Sequence, residues 1–396
     1  MRKLAAVSDA TFHPTQQQPY YQDKAALMQV EETLQQSAPL VNSTEIAKLY
    51  AELDSVLQGE RFLIQAGDCA ERFCDACPDH VRARVDLLYS LASIWKEFSG
   101  QDCLTIGRMA GQYAKPRSAD NEIVDGRSIP CFRGEIINAI APTFEARQPD
   151  PHRMLLAYQA QATTYDLLKK HFAPKTVYTS HEALLLCYER ALLRPFPHSD
   201  QLLFDRYAST AHTLWIGERT RDLFGPHLAF ARDIANPIGI KISERTDPLE
   251  LQKIIFSLNP QKIPGRITLI SRMGATKVPR YLPSLIQAVK TLNTPVIWMC
   301  DPMHGNMKKT SQGSKTRLYE DIVQEILSSF EIHEIMSTRL NGLHLEITPD
   351  AVLECLGGGE SSFERDLLAG FESYCDPRLN APQASLLVQT IASKRF

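Results

Sequence analysis

The sequence describes a (β/α)8 barrel preceded by an N-terminal helical extension, on three grounds. Eight short apolar runs follow one another along the chain, each the length of a buried strand and each closing on a polar or turn-forming corner. Stretches with apolar residues at three-to-four spacing separate them, and eight strands alternating with helices is the pattern of such a barrel. An open doubly wound sheet is the competing arrangement, but no glycine-rich dinucleotide fingerprint follows the first run.

The elements come in order. Residues 1–20 read as irregular, broken by Pro14, the Gln16-Gln17-Gln18 run and Pro19. Residues 23–36 have helical spacing, and Asn42-Ser43-Thr44-Glu45 reads as a capping box opening the helix IAKLYAELDSVL. Residues 1–60 form an extension that covers one end of the barrel or makes a subunit contact, and residues 61–396 form the barrel. Strands are expected at 61–66, 103–107, 176–179, 213–217, 238–242, 267–271, 296–299 and 342–346. Helices are expected at 80–98, 153–171, 182–193, 219–234, 248–257, 279–292 and 315–335. The seventh strand shows the recurring design. An apolar run, Val296-Ile297-Trp298-Met299, meets the breaker Asp301-Pro302 and leaves His304 at its end. Between Arg108 and Pro151 lies a connection rich in Gly, Pro and charge, too long to be a mere link, which reads as a substrate lid or wall.

Composition narrows the class. A chain of 396 residues with 44% hydrophobic and 22% charged content can bury a large core, and its net charge of −3 argues against general nucleic-acid binding. Nine scattered cysteines, an odd number, suit reduced thiols in a cytoplasm. The N-terminus lacks the sustained apolar core of a signal peptide, and no run approaches the ~20 apolar residues of a membrane span. A cytoplasmic enzyme acting on small molecules is expected, with no nucleic-acid or membrane partner.

In barrel enzymes the chemistry collects at the C-terminal strand ends. Those ends here carry Asp68-Cys69-Ala70-Glu71, Arg108, Ser180-His181-Glu182, Glu218-Arg219, Lys241, Arg272, Asp301 with His304, and His344 with Glu346. Two kinds of group stand out. Cys69, His304 and Glu346, with Asp376 as a fourth candidate, make a thiolate, imidazole and carboxylate set suited to a divalent first-row metal. Arg108, Lys115, Arg117, Arg219, Lys241, Arg272 and Lys315 are cations which, gathered on one rim of a slightly acidic chain, would focus positive potential on a small, multiply anionic substrate. Each residue alone has a plain structural reading, as a core side chain or a member of a barrel ion pair. Cys69-x4-Cys74-x2-Cys77 also matches the first three cysteines of a plant-type iron–sulfur site, but no fourth cysteine completes it nearby. Gly357-Gly358-Gly359 lacks the Lys and Ser/Thr of a phosphate loop and reads equally as a turn.

The segments GDCAE (67–71), GRMAGQYAKPRS (107–118), SHEALLL (180–186), WIGERTR (215–221), NPIGIKI (236–242), SRMGATKV (271–278), WMCDPMHGN (298–306), GLHLEIT (342–348) and CDPRLN (375–380) closely resemble those of class II 3-deoxy-D-arabino-heptulosonate 7-phosphate (DAHP) synthase. The resemblance implies a (β/α)8 enzyme that condenses phosphoenolpyruvate with erythrose 4-phosphate, with release of phosphate; a homo-oligomer is expected. It places a divalent metal, Mn or Co, on Cys69, His304, Glu346 and Asp376. It places phosphoenolpyruvate on Arg108, Glu218, Arg219, Lys241 and Arg272, and the second substrate near Lys115, Arg117 and Ser118. Within that reading Glu218, alone or with Lys115, delivers the attacking water, and Lys115 protonates the nascent alkoxide. Arg219, Lys241 and Arg272 stabilise the departing phosphate. Cys375 beside Asp376 could pair with Cys69 if the fold brings them together. Two departures from the family are visible. Met307-Lys308-Lys309 stands where Thr commonly follows the His-Gly-Asn corner, while Lys315-Thr316-Arg317 still matches. The connection from Pro151 to Trp215 is shorter than in long members, whose extra helical pair serves feedback, so weak or absent inhibition by aromatic amino acids and a role in secondary metabolism are expected. A metal or iron–sulfur protein without condensation activity, and a barrel enzyme for an amino-sugar phosphate, are the alternatives.

Overall fold

The structure, a computed structural model, describes residues 16–124, 126–197, 204–360 and 363–394. Eight parallel strands close into a barrel: β1 (Arg61–Gly67), β2 (Asp102–Arg108), β3 (Tyr178–Glu182), β4 (Thr213–Ile216), β5 (Ile238–Ile242), β6 (Ile267–Ser271), β7 (Ile297–Cys300) and β8 (Gly342–Glu346). Strand β1 pairs with both β2 and β8, which closes the circle and sets Gly67 beside Arg108 on one flank and Glu346 on the other. Gly67 has φ +152°, and a Cβ there would lie 2.4 Å from the Arg108 carbonyl oxygen, so only glycine lets the two strand ends meet this closely.

The helices of the described residues are α1 (Lys24–Gln36), α2 (Ser43–Gln58), α3 (Pro78–Ser99), α4 (Arg153–Phe172), α5 (Leu186–Ala191), α6 (Pro226–Asp233), α7 (Pro248–Leu258), α8 (Val278–Lys290), α9 (Tyr319–Ile335), α10 (Glu364–Gly370) and α11 (Ala381–Lys394), most of them packed around the strands. Strands buried on both faces need no alternation, which is why β5 and β6 are buried along their whole length. Phe62 of β1 stacks on Trp95 of α3 at 3.7 Å between ring centroids, joining wall to helix.

The residues ahead of β1 touch both ends of the barrel. Helix α2 starts where Glu45 accepts the Asn42 backbone N–H at 2.8 Å. It then buries Leu49, Leu53 and Val56 against Leu63, Leu104, Ile270 and Met299, stopping the N-terminal mouth. Gln17 exchanges hydrogen bonds of 3.1 and 2.8 Å with the Arg117 backbone, and the Gln18 amide donates to the Leu184 carbonyl at 2.7 Å, strapping the chain to loops at the opposite rim. The expectations for residues 1–15, that they are irregular and lack a signal peptide, lie outside the described residues.

Several boundaries differ from expectation, each for a local reason. The third strand runs Tyr178–Glu182 rather than 176–179, because its register with β2 begins at Ile106↔Tyr178. The helix expected over 182–193 shrinks to Leu186–Ala191, since Glu182 belongs to the strand and Leu193–Pro195 pairs with Arg206–Ala208. The helix expected over 219–234 starts only at Pro226, after Gly225, and the preceding loop is held by Arg221 bonded to Glu218 and Glu250. Helix α9 starts at Tyr319, because Lys315–Thr316 pairs with Lys308–Lys309. The long connection after β2 folds in part as a hairpin, Asn121–Val124 against Arg127–Pro130. No helix among the described residues is long and apolar enough to cross a membrane.

Candidate active site and metal centre

Parity along the strands decides which side chains enter the barrel. Gln65 donates to Ser180 Oγ at 2.8 Å across the interior and pairs with His344 Nδ1 at 2.8 Å, so alternate residues beyond them face the C-terminal mouth. His344 Nε2 lies 2.6 Å from Arg108 Nη1, a donor only, so Nε2 accepts and the ring proton sits on Nδ1, facing the Gln65 carbonyl oxygen. Burial, with Lys241 and Arg108 beside it, holds His344 well below the usual imidazole range, which keeps that neutral form.

Glu346, at the end of β8 and fully buried, is the hub. Its Oε1 lies 3.0 Å from Arg108 Nη2, 3.5 Å from Lys115 Nζ and 3.3 Å from His304 Nε2, and its Oε2 lies 2.7 Å from Arg317 Nη2. Burial works against its ionisation, but the surrounding His304, Lys115, Arg317 and Arg108 hold the carboxyl well below the carboxylate range. The ligand atoms of Cys69, Glu346 and Asp376 lie within 4.8 Å of one another. His304 is outside that trio and reaches it through Glu346.

The imidazole is oriented for ligation. Asp301 accepts from His304 Nδ1 at 2.8 Å and from the backbone N–H groups of Met303 and His304 at 3.0 and 3.2 Å. With Nδ1 committed to a carboxylate, Nε2 is the nitrogen that would face a metal, the usual arrangement of a metal-binding histidine. Cys69 Sγ accepts the Asp376 backbone N–H at 3.1 Å. Asp376 is flanked by Lys315 at 2.8 Å and Lys115 at 3.6 Å. Thiolate, imidazole and two carboxylates, each braced by a second partner, fit a borderline divalent ion. Cys74 and Cys77 are not in this group, which leaves the iron–sulfur spacing without support. Cys69 and Cys375 share one small buried cluster, and both are free thiols.

The cations surround the same mouth at different depths. Trp215 of β4 forms its floor, with the Arg108 guanidinium 5.1 Å and the Lys241 ammonium 5.7 Å from the ring centroid. Lys241 is bonded to Asp301 at 2.7 Å, and burial, reinforced by Arg108 and Arg272, pulls its pKa down to about 8. Arg272 donates to the His304 carbonyl at 3.2 Å. The Nε–H groups of Arg108 and Arg272 are buried without an acceptor among the described residues, as donors awaiting an anion would be. Arg117 is turned to Glu122 on the hairpin at 3.1 Å, while Ser118 and Arg219 are exposed at the rim.

Three residues carry weight that the sequence left unassigned. Arg317 is fully buried on Glu346, and only its place beside Lys315 in a matching motif hinted at it. Asp301 was visible as a strand-end carboxylate, but its grip on His304 was not. Glu182 is the third. Glu218 is occupied by Arg221 at 3.2 Å and by the Ser243 hydroxyl at 2.8 Å, whereas Glu182 Oε1 is buried with no partner among the described residues. A Cβ on Gly217 would lie 2.1 Å from that oxygen, so the bare glycine leaves the carboxylate its room.

A family model described as "Class-II DAHP synthetase family" matches residues 6–174 and 169–392. The chain belongs to the class II DAHP synthetase family. It is 36% identical to phospho-2-dehydro-3-deoxyheptonate aldolases of Neurospora crassa (96% of this chain, 92% of that protein) and Streptomyces coelicolor (96% and 95%). The same identity holds for that of Mycolicibacterium smegmatis, over 98% of this chain and 94% of the relative. A solved phospho-2-dehydro-3-deoxyheptonate aldolase from Francisella tularensis SCHU S4 shares the fold, with a TM-score of 0.54 at 17% identity over 92% of this chain and 97% of that one. The enzyme is thus a transferase that condenses phosphoenolpyruvate with erythrose 4-phosphate and water to give DAHP and phosphate, the first step of the shikimate pathway.

Proposed function

We propose that Cys69, His304, Glu346 and Asp376 would hold one divalent ion, manganese or cobalt, and that the condensation takes place at the barrel mouth these residues line. The observation carrying this reading is the convergence of Cys69, Glu346 and Asp376 within 4.8 Å, with His304 Nε2 3.3 Å from Glu346. When bound, the ion supplies Lewis-acid polarisation of the aldehyde oxygen.

The protein's own groups do the rest. Arg108, Lys241 and Arg272, with Arg219 at the rim, bind the phosphate and carboxylate of phosphoenolpyruvate, and the same cations stabilise phosphate as it leaves. Lys115, held by Glu346 and Asp376, is placed to give a proton to the new alkoxide at C1 of the sugar. Glu182 replaces Glu218 as the acceptor that orients the water attacking C2, because Glu218 is already committed to Arg221 and Ser243. Arg117, Ser118 and Lys315 line the entry for the sugar phosphate. A cytoplasmic homo-oligomer, serving secondary metabolism, completes the reading. The test is phosphate release from phosphoenolpyruvate across a panel of divalent metals, with and without erythrose 4-phosphate. Release that needs both the sugar phosphate and a metal is expected; release without metal after chelation would remove the centre from the mechanism.

A further inference from the structure

We propose that the buried ion pair between Asp68 and Arg378 braces the two halves of the metal centre, making both of them positioning residues for Cys69 and Asp376. The inference rests on the ligand set above and adds what holds that set in register.

Cys69 and Asp376 are 307 positions apart in the chain, and a single backbone hydrogen bond of 3.1 Å joins them directly. The Ser373 hydroxyl lies 3.8 Å from the same Cys69 sulfur, so the contacts of this turn with Cys69 meet at one atom, which is a pivot. Asp68, next to Cys69, places Oδ1 2.6 Å from Nη1 of Arg378, two residues beyond Asp376. The segments 68–69 and 376–378 are therefore tied at two points, and two ties remove the rotation that one allows.

Both ends of the second tie are anchored. Asp68 Oδ2 lies 2.6 Å from Arg84 of α3, and the Asp68 carbonyl accepts from Arg108 at 3.1 Å. Arg378 donates through Nη2 and Nε to Glu354 at 2.9 and 3.1 Å. Glu354 in turn accepts the backbone N–H groups of Ser373 at 2.8 Å and of Arg378 at 2.7 Å, so it fixes the turn carrying Asp376 from both sides. The Ser373 hydroxyl closes that turn on the Asp376 carbonyl at 2.7 Å. Asp68, Arg84, Glu354 and Arg378 are all buried. A buried ion pair is a poor source of stability compared with apolar packing of the same volume, so its value lies in placing groups. Second contacts of this kind typically govern metal affinity by about 10–100-fold.

The test is a Co2+ titration of the metal-free full chain, followed by the thiolate-to-cobalt absorption that reports Cys69 directly, for wild type, Asp68→Asn, Arg378→Lys and Glu354→Gln. Folded D68N and R378K are expected to bind Co2+ about 10–100-fold more weakly, with a diminished thiolate band, and E354Q to fall between them and wild type. A purely structural role would lower the urea midpoint of the metal-free protein and leave the affinity and the band of the folded fraction unchanged, and that result overturns the proposal. Should D68N fail to fold, R378K and E354Q decide by the same measure. Wild type that binds no Co2+ would remove the ligand set itself, a failure distinguishable from loss of the brace alone.

Discussion

Replacing Glu346 by Gln removes the negative charge that Arg108, Arg317, Lys115 and His304 share at 3.0, 2.7, 3.5 and 3.3 Å. The side chains of Arg108, Arg317 and Glu346 are 0–1% exposed, so water cannot take its place. Glutamine keeps the shape and one carbonyl oxygen, and that oxygen can serve one guanidinium. Its amide nitrogen then faces the other guanidinium, donor against donor. Two charge-assisted bonds of roughly 1.5–3 kcal/mol each become at best one, since the guanidinium that keeps its acceptor is still charged, a loss of about 1.5–3 kcal/mol. Leaving the other buried cation uncompensated raises the cost to about 3–5 kcal/mol. The assay is urea unfolding in chelator, which isolates the protein contacts from any bound ion. Metal-free E346Q is expected to lose about 3–5 kcal/mol. A loss under about 1 kcal/mol would refute the hub and with it the reasoning that Glu346 needs its cations.

Cys69→Ser should abolish most metal-dependent turnover, measured as phosphate release in metal-controlled buffer; an unchanged rate would contradict ligation by the thiol. Glu182→Gln should lower kcat by about 10²-fold or more with a smaller change in the KM for phosphoenolpyruvate, and an unaffected kcat would return the water-orienting role to Glu218. Desolvation pushes the buried His212 and His333 down to about pKa 3, whereas both titrate near 6.5 when unfolded. Stability is therefore intact above pH 6.5 and falls as pH drops toward 3, by up to about 1.4 kcal/mol per pH unit for each histidine. Substituting both by Gln should flatten urea stability measured from pH 6.5 to 4, and an unaltered slope would count against their burial as neutral rings. Tryptophan or phenylalanine at submillimolar concentration should leave the rate within about twofold; abolition of activity by either would show that feedback survives the short connection between Pro151 and Trp215.

Local pattern carried the strands and the inventory at their ends. The runs at 238–242, 267–271 and 342–346 coincide with β5, β6 and β8, because a strand buried on both faces leaves an unbroken apolar stretch in the sequence. The helical patterns over 182–193, 219–234 and 315–335 overrun the helices themselves for a complementary reason. Helical spacing persists into segments whose backbone is claimed by tertiary partners, such as the Lys315–Thr316 pairing or the Arg221 contacts, and those partners are invisible to periodicity.

The site divides the same way. Cys69, His304, Glu346, Arg108, Lys241 and Arg272 stand out as candidates from residue type and position at strand ends, since chemistry of the proposed kind needs those atoms wherever the chain supplies them. What the sequence could not give was the pairing among them. Arg317 on Glu346, Asp301 on His304 and Asp68 on Arg378 join positions from 3 to 310 residues apart, and none leaves a spacing signature. Residue identity determines which atoms can bind an anion or a metal. Only closure of the barrel, which brings β1 between β2 and β8, decides which of those atoms converge on one point and which neutralise one another.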